Sequence, residues 1–107
     1  MDIKIVPLPV EKMKTKIGDE SQLGFGKYFT DRMLIVEWKA AEGWCDARIE
    51  PYGPFMMDPA CTVFHYAQEI FEGLKAYKWT DGRIALFRPE MNARRFSQSG
   101  DRMCMPA

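Results

Sequence analysis

The strongest constraint on the fold is the pair Asp81-Gly82, which stands between two apolar runs. An Asp-Gly dipeptide between alternating hydrophobic stretches is the best short-range signal for a β-hairpin, because both residues tolerate a positive φ. Before it, Gly73 to Trp79 alternates, with Leu74 and Ala76 on one face and Lys75, Tyr77 and Trp79 on the other. After it, Arg83 to Arg88 is the second run. An antiparallel pair is therefore expected here.

A second pair is predicted upstream. Asp31 to Lys39 is rich in Leu34, Ile35, Val36 and Trp38, a strand composition. Ala40-Ala41-Glu42-Gly43 reads as a turn, and Cys45 to Pro51 as the returning strand, with Ala47, Ile49 and Cys45 sharing a face. Lys12, Lys14 and Lys16 alternate with Met13, Thr15 and Ile17, which suggests a short charged edge strand. Before that, Val6-Pro7-Leu8-Pro9 suggests an extended arm. The stretch Thr62 to Gln68 stays ambiguous.

Pro89 to Met103 reads as a helix. Pro89 suits the first helical position, where its missing N–H costs nothing, and Glu90 complements the positive helix end. Met91, Phe96, Ser99 and Met103 form its apolar stripe, and Gly100 weakens it. Strands first and one helix late give an α+β class: an antiparallel β-sheet with a flanking helix.

The 107 residues fit one domain. Fifteen basic and fifteen acidic side chains cancel, so no global field draws in nucleic acid or an anionic membrane. No apolar run approaches a membrane span, and Met1-Asp2-Ile3-Lys4 lacks the apolar core of a signal peptide, so a cytoplasmic location is expected. Cys45, Cys61 and Cys104 are odd in number and far apart, which argues for reduced thiols rather than disulfides or a zinc site. Pro106 stops the helix at the very end of the chain, which therefore reads as interrupted rather than finished.

Candidate functional residues are few. His65 is the lone histidine and could be a base or a ligand, but such a residue is more often structural. No further ligands stand at metal-binding spacing, so no metal is expected. Arg94 and Arg95 are adjacent on the predicted helix, about 100° apart around its axis, so only one can lean inward. Arg95 follows Met91 by four and precedes Ser99 by four, which makes it the inward one. It then needs an anionic partner: a phosphate, a carboxylate or an internal salt bridge. Phe25, Phe29, Tyr66 and Phe71 lie beside glycine or turn residues and could line an apolar pocket, or be ordinary core.

One succession of blocks is far more specific. Phe25-Gly26-Lys27-Tyr28-Phe29-Thr30-Asp31 with Met33 is followed by Glu37-Trp38, Gly43-Trp44 and Ile49-Glu50-Pro51-Tyr52-Gly53. Asp58-Pro59-Ala60, Val63-Phe64-His65-Tyr66, Gln68 and Ile70-Phe71-Glu72-Gly73-Leu74-Lys75-Ala76-Tyr77 come next. Leu86-Phe87-Arg88-Pro89, Asn92, Arg95, Ser99, Arg102-Met103 and Met105-Pro106 complete the series. In this order the blocks resemble the N-terminal part of branched-chain amino acid aminotransferases, pyridoxal-phosphate enzymes of fold type IV.

The resemblance implies residues 1–24 as an arm and 25–107 as an incomplete small N-terminal domain. It implies pyridoxal 5'-phosphate as cofactor, with leucine, isoleucine or valine, 2-oxoglutarate and the matching 2-oxo acids as substrates. It also implies a homodimer. It carries Arg95 onto the arginine that holds the cofactor phosphate, and Phe25, Tyr66 and Phe71 onto the wall around the branched side chain. The family's cofactor-binding lysine has no counterpart here, since Lys27, Lys75 and Lys78 match no such position. No catalytic residue is therefore expected in this chain, and by itself it should be inactive. Departures from the pattern are Arg32 in place of a common histidine, Ala67 in place of glycine or serine, and Gly100-Asp101 within the helix. Related alternatives are D-amino acid aminotransferase and aminodeoxychorismate lyase, which share the fold. A non-catalytic binding module is the alternative from another class.

Overall fold

A computed structural model describes residues 2–106; Met1 and Ala107, which end the two terminal readings above, lie outside the described residues. The chain divides into two compact units, Met1–Met56 and Met57–Ala107. The α+β class holds: the sheets contain antiparallel pairs, and there is one main helix.

In the first unit β1 (Lys4–Ile5), β2 (Arg32–Lys39) and β3 (Gly43–Pro51) form a sheet in the order β1-β3-β2. β2 and β3 pair antiparallel as the sequence predicted, and the Glu42 N–H donates to the Lys39 carbonyl across the turn. The expected edge strand over Lys12–Ile17 is absent. Val10–Lys12 is a short 3-10 turn, and β1 takes the edge of β3 in parallel. The alternation at Lys12–Ile17 misled because Lys14 is tethered instead of paired. Its N–H reaches Asp31 Oδ1 at 2.7 Å, and its ammonium donates to the carbonyls of Phe29 and Thr30. That ammonium also lies 4.3 Å from the Tyr52 ring centroid, and Tyr52 stacks on Phe29. Arg32 donates to the Val6 carbonyl at 2.6 Å and so ties the arm to β2.

Cys45 does not share a face with Ala47 and Ile49. Ile35 pairs with Arg48 but Glu37 with Cys45, so Val36 faces the two residues Asp46 and Ala47. This bulge puts Asp46 at φ 52 and reverses the side-chain phase on either side of it. It places Cys45 on the face that carries a charged row, where Arg48 bonds Glu37 at 2.7 Å and Glu50 at 2.8 Å.

The second unit holds α1 (Thr62–Tyr66), a hairpin of β4 (Ala76–Lys78) and β5 (Ile84–Leu86), and α2 (Pro89–Arg102). The ambiguous stretch is α1, stopped by Ala67 in the left-handed region at φ 49. The hairpin forms where Asp81-Gly82 predicted, around the three-residue loop Thr80–Gly82 that the two runs leave between them. The Gly82 N–H donates to the Trp79 carbonyl, and the Trp79 N–H to that of Arg83. Gly82 at φ 84 supplies the bulge conformation that only glycine adopts freely.

α2 runs as predicted, but its half-buried residues are Asn92, Ser99, Gly100 and Met103, while Met91 and Phe96 stay exposed. It ends in a Schellman motif: the Met105 N–H donates to the Gly100 carbonyl and the Cys104 N–H to that of Asp101. Cys104 occupies the left-handed position at φ 54. A side chain there costs about 1–2 kcal/mol, part of which glycine recovers against its larger unfolded entropy. Cys104→Gly should therefore stabilise the chain by about 0.5–1 kcal/mol, read as a higher urea midpoint at unchanged slope.

Candidate functional site

The site grows out of the way residues 68–73 run along α2. The segment is extended and alternates: Gln68, Ile70 and Glu72 are half-buried, while Glu69, Phe71 and Gly73 are exposed. Its inward residues meet α2 in descending order. Gln68 Nε2 donates to the Met103 carbonyl at 3.0 Å, Ile70 lies over Gly100, and Glu72 reaches Arg95 and Asn92. Extended backbone advances about 3.3 Å per residue and helix about 1.5 Å, so two residues of the segment keep pace with about four of the helix.

Glu72 is the terminus of this seam. Arg95 Nε donates to its Oε2 at 2.6 Å, and Arg95 Nη2 donates to its Oε1. Asn92 Nδ2 donates to the same Oε1 at 2.8 Å and to the Gly73 carbonyl at 2.9 Å. The Glu72 side chain is 11% exposed, whereas that of Arg95 is 64% exposed. The carboxylate is thus the fixed partner and the guanidinium the outer one. The Arg95 guanidinium, with burial opposing it and Asn92 helping, holds the Glu72 carboxyl at about 2. The same pairing raises Arg95. The Arg94 side chain makes no hydrogen bond or ion pair among the described residues and is exposed. Arg95 is thus the paired arginine of the two, but its side chain stays largely exposed rather than turned inward, and its partner is a carboxylate of the chain itself.

Arg95, Ser99 and Arg102 follow one another on one face of α2 and line an open depression of about 520 Å³ together with Phe71 and Glu69. Two guanidinium groups and a hydroxyl suit a phosphate or carboxylate, and Phe71 adds an apolar wall. No lysine lines it. Of the residues singled out from sequence, the depression brings together Arg95 and Phe71, which is 83% exposed. Tyr66, 81% exposed at the end of α1, is not part of its lining. Phe25, 93% exposed, belongs to the first unit. Glu72 was missed, and the one signal for it was an acid inside an otherwise apolar and aromatic run. His65 has a structural partner, its Nε2 lying 2.7 Å from the Pro59 carbonyl. Among the described residues no group of three or more His, Cys, Asp or Glu could hold a metal ion, and no helix is long and apolar enough to cross a membrane.

Fold and site define a small α+β protein with a carboxylate-braced arginine in the lining of an open depression. Comparison with known proteins supplies the family. No protein-family model matches the chain. It is 52% identical to branched-chain-amino-acid transaminase 1 of Bacillus subtilis over 82% of its own length and 25% of the relative's. It is 54% identical to the branched-chain-amino-acid aminotransferase of Mycolicibacterium smegmatis over 78% of the chain and 23% of the relative. It is 45% identical to the cytosolic branched-chain-amino-acid aminotransferase of Saccharomyces cerevisiae over 95% of the chain and 29% of the relative. By sequence the chain belongs to the branched-chain aminotransferases, and it spans about a quarter of the length of the relatives it matches.

The depressed Glu72 carboxyl gives a pH test. A carboxyl at about 2, against an ordinary 4.5, stabilises the folded chain above about pH 4.5 and loses that contribution as pH falls through 2. A carbon-detected NMR titration should find the Glu72 midpoint near 2, and Arg95→Ala should return it towards 4.5.

Proposed function

We propose that the chain serves as the N-terminal, phosphate-anchoring part of a pyridoxal-phosphate-dependent branched-chain aminotransferase. The observation that carries this is the 45–54% identity to enzymes of that name, joined to the meeting of Arg95 and Phe71 at one depression. On this reading residues 25–107 are an incomplete small domain and 1–24 an arm. The substrates are leucine, isoleucine or valine and their 2-oxo acids, with 2-oxoglutarate and glutamate as the second pair. The location is cytoplasmic.

The donor set fits the phosphate end of pyridoxal 5'-phosphate: Arg95 supplies the charge-assisted contact, Ser99 a hydroxyl, and Arg102 further positive field. When bound, the cofactor supplies the electron sink through which the amino group is exchanged. The chain's own residues bind and orient. Arg95 fixes the phosphate, and Phe71 offers aromatic surface to the aliphatic side chain of the substrate. The resemblance assigns the same role to Tyr66 and, in the first unit, to Phe25. No residue of this chain is assigned a proton-transfer role.

Pyridoxal 5'-phosphate titrated into the 107-residue chain tests the anchoring role. A hydrogen bond to a charged group is worth about 1.5–3 kcal/mol, and an open site takes the lower end, so Arg95→Ala should weaken binding roughly tenfold. Arg94→Ala should leave it unchanged. Equal losses for the two variants would remove the assignment.

The homodimer is the second part of the proposal. Among the described residues only Ala47 is buried, while Trp38, Phe64, Tyr77 and Trp79 are all exposed. Apolar surface beyond a few hundred Å² is seldom left bare in a monomer, and aromatics dominate interface energetics. Sedimentation should show mass rising with concentration. A compact monomer at high concentration with a cooperative melt would contradict it.

A further inference from the structure

We propose that Glu72 is a positioning residue: its carboxylate sets the Arg95 guanidinium so that the planar fork, not merely the positive charge, meets a phosphate in the depression. The proposal rests on the reading that Arg95 holds a phosphate, and adds the group that aims it.

Three observations carry it. Arg95 is a long side chain, largely exposed, on an open face, where a free arginine would sample many rotamers. It is nevertheless bonded through Nε and Nη2 to the two oxygens of a single carboxylate, while its Nη1 makes no hydrogen bond among the described residues. One side of the fork is thus held, and Nη1 with the second N–H of Nη2 remains available for two-point donation. The carboxylate, in turn, is fixed independently of Arg95. It is almost buried, it accepts from Asn92, and Asn92 also grips the Gly73 carbonyl next to it. A mobile arm fastened to a rigid anchor is the arrangement that removes rotamer entropy before a ligand arrives. Glu72 is also placed by the pitch of its own segment, since the alternation that turns Phe71 outward to the depression turns Glu72 inward to α2.

A competing carboxylate would share the geometry but not the consequence. If Glu72 merely occupied Arg95, its removal would free the arginine and tighten anion binding, and the fork would keep its advantage over a lysine. If Glu72 aims the fork, that advantage exists only while Glu72 is present. Arginine outperforms lysine by planar, two-point donation, which depends on orientation, whereas a lysine ammonium is a point charge that does not.

The test is a double-mutant cycle on the 107-residue chain, with inorganic phosphate as probe, followed by NMR. In the wild-type background Arg95→Lys should weaken phosphate binding about fivefold, as expected for losing two-point donation. In the Glu72→Gln background the same change should cost less than about twofold, the orientation already being lost. Glu72→Asp, which keeps the charge but shortens the reach, should behave like Glu72→Gln. The Arg95 Nε–H signal should be rigid in the wild type and mobile in both Glu72 variants. The Gln68–Met103 and Asn92–Gly73 bonds do not involve the Glu72 side chain, and an unchanged amide fingerprint confirms that the variants keep the fold. An equal Arg95→Lys penalty in all backgrounds would overturn the proposal. So would tighter binding in Glu72→Gln with that penalty intact, or Glu72→Asp behaving as wild type. A distinct failure is Arg95→Ala leaving phosphate binding untouched in the wild-type background: it removes the phosphate reading itself and the positioning role with it.

Discussion

The second unit depends on a match of pitch between an extended segment and a helix. From Gln68 to Gly73 the backbone takes five steps, roughly 16 Å, and from Met103 back to Asn92 the helix takes eleven, also roughly 16 Å. Because the two advances agree, every second residue of the segment finds α2 beneath it. A carbonyl is met at the start, a glycine in the middle, and an asparagine and an arginine at the end. The apolar residues Met91 and Phe96 of the helix remain outside the seam.

That arrangement sets the electrostatics of the site. A single carboxylate receives an arginine and an asparagine and is held far below its ordinary range. The pairing sits at one end of the seam, next to the depression that Phe71, Ser99 and Arg102 share with Arg95. Structural and ligand-facing roles thus meet in one guanidinium. The open side of α2 carries cationic and hydroxyl groups, and the covered side carries the residues that fix them.

Much of this was legible in the sequence, and the remainder was hidden for physical reasons. Asp81-Gly82 located one hairpin because a positive φ has few residue solutions, and glycine marks it openly. The bulge at Asp46 was invisible because aspartate enters the left-handed region at modest cost and leaves no glycine to mark it. A two-residue strand such as β1 has no periodicity to detect, and the charged alternation at Lys12–Ile17 mimics a strand although Lys14 serves as a tether. Helical phase put Arg95 and Arg94 about 100° apart, although Met91, the residue that set its inward direction, stays exposed, as does Arg95. It could not name Glu72 as the partner, because that contact joins residues 23 apart through a segment that is extended without being a hydrogen-bonded strand.

The alternation of residues 68–73 also determines where the chain can change length. Removing or adding one residue between Gln68 and Glu72 would turn Phe71 towards α2 and swing Glu72 out into water, exchanging an aromatic for an acid at both addresses. A change of length in this unit is expected to cost least where the backbone already reverses, such as the loop at Thr80–Gly82. The interval between Gln68 and Glu72 is a ruler, and a lineage that keeps the paired arginine must hand it down without gaps.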